Sequence, residues 1–142
     1  MHARTLATVL LAAWLGLVVT GAAHAADWRS LSADAATQIF VDQNSVTTEG
    51  PTSEAVVLVN YSTTHTLGDD WFPHRSQLVR YKLACDTGEA ALKSWAFKTG
   101  ELGSGATVWK SARTEPQLAR PAADTVESLL VAKLCTGPVS LR

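Results

Sequence analysis

Cysteine is scarce in this 142-residue chain: there are two, Cys85 and Cys135, and they form no C-x-x-C pair. Dithiol exchange chemistry is therefore disfavoured. A basic excess is also missing, since 12 lysines and arginines stand against 13 aspartates and glutamates. Proteins that neutralise phosphates carry a surplus of cations, so a nucleic-acid partner is disfavoured as well. Beyond the N-terminal leader the only histidines are His65 and His74, with no H-x-x-x-H spacing, and they read as ordinary loop or edge residues. No G-x-S-x-G elbow occurs. Gly103-Ser104-Gly105 has no lysine after it and leads into a β-rich run, so it is not a phosphate loop. Asp69-Asp70 sets two carboxylates side by side without the further oxygens a hard cation needs. These absences leave no catalytic residue, metal site or cofactor to nominate, and the chain is expected not to be an enzyme.

The long apolar run that the rest of the chain lacks is found at its start. A short basic opening with Arg4, an apolar stretch over Leu6–Val19 and Ala23-His24-Ala25 as an A-x-A motif together read as a cleaved secretory signal peptide of bacterial form. The run falls short of the roughly 20 residues that span a bilayer. The expected division is a signal peptide over 1–25 and one domain over 26–142. Cleavage leaves 117 residues, enough for one modest core. With no cysteine near the cleavage site there is nothing to lipidate, so the product is expected to be periplasmic or secreted, without membrane span or lipid anchor. In an oxidising compartment a Cys85–Cys135 disulfide is the default reading. Free buried thiols, or a metal site lacking its other ligands, are the alternatives.

Alternation then organises the chain. In Gln77–Asp86, Val79, Tyr81, Leu83 and Cys85 fall on one face, and Arg80 and Lys82 fall on the other, which is a half-buried strand. Thr37–Asp42 alternates similarly, with Asp42–Ser45 read as a turn and Val46–Glu49 as a short return strand. Glu54–Ser62 is the most β-branched run. Its second apolar set, Val56 and Leu58, suits a central strand or an outer face that meets a partner. Ala90–Lys98 and Ala106–Ser111 complete the strands. The sequon Asn60-Tyr61-Ser62 lies inside a strand and is discounted as a glycosylation site. One helix follows, with Asp124 as N-cap, Glu127 as its capping partner, an apolar stripe of Val126, Leu129, Leu130 and Leu134, and a stop at Gly137-Pro138. Several adjacent strands followed by one helix predict an α+β fold, an antiparallel sheet with a helix laid on one face.

One loop draws notice for binding. Trp71-Phe72 forms an aromatic pair beside Asp69-Asp70 and close to Arg75, and tryptophan and arginine are enriched at interface hot spots. Trp71, Phe72 and Arg75 are the candidate protein-binding residues, with the capping of the core by one or both rings as the competing reading.

The DW start at Asp27-Trp28, the block Ile39–Val46, the strand Val56–Ser62, the S-x-x-x-R-Y-x-L-x-C-D strand over Ser76–Asp86 and the helix Asp124–Cys135 together resemble the bacterial surface-adhesin protein E family. Leu118 stands where that family has a tryptophan before the last helix. The resemblance implies a six-stranded antiparallel sheet, a C-terminal helix packed on it, the two cysteines joined, and a tendency to form homodimers. It further implies an exported binding protein whose partner is a host extracellular-matrix or serum protein or an envelope component. The alternative expectation is a periplasmic structural or stress-related protein that self-associates through the Val56 and Leu58 face.

Overall fold

A computed structural model describes residues 25–66 and 72–135. The apolar leader with most of its A-x-A motif, Asp69-Asp70, Trp71 and the Gly137-Pro138 stop lie outside the described residues. Six strands form one antiparallel sheet in chain order: β1 Trp28–Ala33, β2 Thr37–Glu49, β3 Thr52–His65, β4 His74–Ala84, β5 Glu89–Lys98 and β6 Thr107–Ala112. Helix α1, Val126–Cys135, follows. The expected α+β architecture is the observed one, and every strand pairs with its sequence neighbour because each connection is a hairpin or a short loop.

Register turns the sequence alternation into two faces. Val41, Val57 and Val79 stand opposite one another across β2, β3 and β4, as do Ala55 and Tyr81 on the same face. These residues, with Leu83 and Ala90, form the core on which α1 lies. Leu130 is the fully buried centre of the helix face, flanked by Val126, Val131 and Leu134. Val131 thus joins the core where the stripe had Leu129. Burying one leucine of this kind stabilises by about 1.5–3 kcal/mol, which holds a ten-residue helix too short to persist alone.

The helix start differs from the expected one. Asp124 is not the cap; it turns the chain with a φ of 61°. Thr125 caps instead: the Ser128 N–H donates to Thr125 Oγ1 at 3.2 Å, and the Thr125 N–H donates to Ser128 Oγ at 3.1 Å. The pair forms a reciprocal box with serine in place of glutamate. Glu127 is then free to meet the Tyr81 phenol from the helix side.

The Asp42–Ser45 segment bends but does not reverse the chain. Strand β2 runs through it as a bulge, with register shifting between Asp42 and Thr47, and the reversal comes at Gly50. Asp42 Oδ1 accepts the N–H groups of Asn44 at 3.0 Å and Asp27 at 2.9 Å. The expected turn chemistry is present, and the neighbouring strand captures it as a bulge.

Cysteine 85 also departs from expectation. Strand β4 stops at Ala84, so Cys85 lies in the following turn and is exposed, not under the helix. Cys135 closes α1, and the two are joined in a disulfide with Cα atoms 5.1 Å apart. The bond therefore ties the helix end to a sheet corner.

Opposite the helix, Phe40, Leu58, Leu78 and Ala96 align across β2 to β5. The β5–β6 loop folds over part of this face. Its Leu102 N–H donates to Asn60 Oδ1 at 2.7 Å, and its Gly103 N–H donates to Ser76 Oγ at 2.9 Å. The Ser76 hydroxyl in turn donates to the Gly100 carbonyl at 2.7 Å. Leu58 is fully buried beneath this loop, so of the two residues expected to offer a self-association face only Val56 stays partly accessible. Asn60 is likewise buried, in keeping with the discounted sequon.

Candidate functional site

Near the start of β4, aromatic rings from three segments meet. Trp95 and Phe97 share a face of β5 because they are two residues apart, and register sets Trp109 of β6 directly opposite Phe97. The Trp109 ring centroid lies 4.9 Å from Phe97 and 5.4 Å from Trp95. Phe72, just before β4, reaches the same ring at 6.1 Å. The Arg113 guanidinium stands 5.7 Å over Trp95, within cation–π range. Phe97 is buried, whereas Phe72, Trp95 and Trp109 keep part of their surface in solvent.

A histidine ties this band to β3. His74 is fully buried and stacks on Phe97 at 4.2 Å with its edge toward Tyr61. Its Nδ1 lies 2.6 Å from the Phe72 carbonyl, which can only accept, so Nδ1 carries the proton. Nε2 is then the acceptor for the Gln77 amide at 3.0 Å. Burial raises the Tyr61 phenol above its ordinary range, partly offset by a hydrogen bond with Gln77. His65 stacks flat on Tyr61 at 4.4 Å from the exposed side.

Of the residues singled out in sequence, Trp71 lies outside the described residues. Phe72 packs on Trp109 and so forms one rim of the band. Arg75 is engaged within the chain: its Nη2 donates to the Ser62 carbonyl at 3.0 Å and pairs with Glu101. Arg75 thus braces the end of β3 against the β5–β6 loop, whereas Phe72 meets Trp109 of β6. Trp95, Trp109 and Arg113 were not singled out. Trp95-x-Phe97 was visible as an in-phase pair, but its meeting with Trp109 needs the register of a hairpin.

The arrangement offers π faces and one guanidinium, suited to holding apolar or aromatic groups of a partner. Among the described residues no group of three or more histidine, cysteine, aspartate or glutamate side chains is placed to hold a metal ion.

The chain matches the family model described as surface-adhesin protein E over residues 28–136. Solved structures of Haemophilus influenzae protein E share its fold. Crystal form II aligns with a TM-score of 0.52 at 14% identity, covering 68% of this chain and 79% of that one. The selenomethionine form aligns with a TM-score of 0.50 at 14% identity, covering 70% and 79%. No curated protein sequence matches the chain.

Proposed function

We propose that this chain, which belongs to the surface-adhesin protein E family, is an exported non-enzymatic binding protein whose aromatic band contacts its partner. The observation that carries this is the part-exposed run Phe72–Trp109–Trp95 with Arg113 over its end. Tryptophan and arginine are the residue types that anchor interfaces, and here two tryptophans and an arginine meet with part of their surface in solvent. Cleavage after Ala25 would deliver residues 26–142 as a single domain beyond the inner membrane. The partner class is a host extracellular-matrix or serum protein, or a component of the envelope itself. Phe72 and Arg75 belong to the proposal beside this band, with Arg75 as a positioning residue, and Trp71 belongs to it as the sequence neighbour of Phe72.

The test uses purified, disulfide-bonded 26–142 on a panel of immobilised matrix and serum proteins. Saturable binding that falls at least about tenfold in Trp109→Ala and in Trp71→Ala, with far-UV circular dichroism unchanged, is expected. Binding that survives both substitutions removes the aromatic band from the proposal.

A further inference from the structure

We propose that the sheet face opposite α1, which the described residues leave partly open, binds a single-chain anionic amphiphile, an acyl chain bearing a carboxylate or similar head. On that face lies an open hollow of about 640 Å³, within the range of small-molecule sites. Its floor is low because β5 carries only Ser94 and Ala96 there, with Ala112 beside Ser94 on β6. Leu78 and Arg80 of β4 stand across from Ala96 and Ser94 on one side, and Lys110 stands across from Ala96 on the other. Gly103 rests against Leu78 and Leu58, so the β5–β6 loop flanks the hollow at Leu78.

Charge selects the ligand class. Among the described residues, Arg80 and Lys110 are the only charged ones lining the hollow, and no carboxylate lines it. Arg80 keeps a loose companion in Glu54 at 3.8 Å, but Glu54 also pairs with Lys93. Lys110 is exposed and makes no ion pair among the described residues. A low apolar floor between two cations complements an apolar tail with a negative end.

Two other occupants fit less well. An extended peptide lying across the hollow brings backbone N–H and C=O groups that need partners, and β5 beneath it spends its own on the β4–β5 and β5–β6 ladders. Ser94 is the one neutral polar side chain on the groove side of β5. A second copy docked through the same hollow about a two-fold axis would oppose cation to cation. An acyl chain needs no hydrogen bonds and brings the opposite charge.

Isothermal titration of laurate and of dodecyltrimethylammonium into disulfide-bonded 26–142, both below micelle formation, tests this. One laurate per chain is expected, with the cationic amphiphile bound at least about tenfold more weakly. Lys110→Glu, at an exposed position, is expected to weaken laurate roughly tenfold and to reduce the salt dependence of binding. Ala96→Trp fills the hollow and should abolish binding; if that variant does not fold by circular dichroism, the Lys110→Glu result decides alone. Equal affinity for the two amphiphiles, or laurate binding indifferent to Lys110→Glu, overturns the proposal. So does a dimer that breaks in Lys110→Glu but persists in saturating laurate. The matrix-binding assay contains no amphiphile, so each proposal can fail while the other stands.

Discussion

Ser45 Oγ accepts the backbone N–H of Val56 at 2.8 Å while its hydroxyl donates to the Asp42 carbonyl at 2.7 Å. A side chain thereby stands in for a ladder carbonyl inside the β2 bulge. Removing it leaves a part-buried N–H without a partner, which costs about 1–3 kcal/mol. Ser45→Ala should lower the urea midpoint by that free energy with an unchanged slope, and a midpoint within error of wild type would mean that water replaces the hydroxyl at no cost.

The disulfide closes a loop across a sequence separation of 50. In the chain-entropy model this stabilises by about 4 kcal/mol. Cys85→Ser/Cys135→Ser should lose about that much in equilibrium denaturation. Leu130 and its neighbours still dock the helix without the bond, so the fold should persist, and hydrogen exchange should rise first in Val126–Cys135, whose end the bond anchors.

Both tyrosines of the chain, Tyr61 and Tyr81, sit with their phenols raised above the ordinary 10.0. Burial is the main cause in each, and at Tyr81 the Glu127 carboxylate adds to it. The folded state therefore holds phenol protons that the unfolded chain releases first as pH rises. The stability from these groups is complete below about pH 10 and declines above it, toward the raised folded values. Phenolate absorbance at 295 nm should stay low until unfolding begins. Tyr81→Phe should flatten the alkaline decline in melting temperature; an ordinary native titration near pH 10 with the fold intact would contradict this.

The β5–β6 loop carries two backbone constraints of opposite consequence. Leu102 has a φ of 52° and is 56% exposed. A left-handed leucine costs roughly 1 kcal/mol, so Leu102→Gly should raise stability by up to about that amount. Gly100 is held close to the loop's far side: a Cβ there would lie 2.9 Å from the Ser104 carbonyl carbon. Gly100→Ala should destabilise and expose Leu58, seen as an earlier thermal transition and added binding of a hydrophobic dye.

Much of the fold was legible because side chains on a strand alternate with period two. Ile39 and Val41 against Phe40, and Val79, Tyr81 and Leu83 against Arg80 and Lys82, state their faces without any partner. Two cysteines in the whole chain likewise leave one pairing to form. The candidate binding loop is less legible, because Phe72 and Arg75 lie close in sequence but their contacts, Trp109 and Glu101, come from β6 and the β5–β6 loop.

The sequence by itself determined the α+β class and the phases of the long strands, since these follow from local periodicity, and with two cysteines it allowed only one pairing within the chain. Only the tertiary structure decided that Asp42–Ser45 bulges instead of turning, because the same side-chain bonds serve both and the β3 strand chooses between them. It also decided that Leu58 is covered, that Cys85 lies outside the core, and that Trp95 and Trp109 meet. Each of these depends on register between segments distant in the chain, and register is set by the whole sheet, not by any one strand.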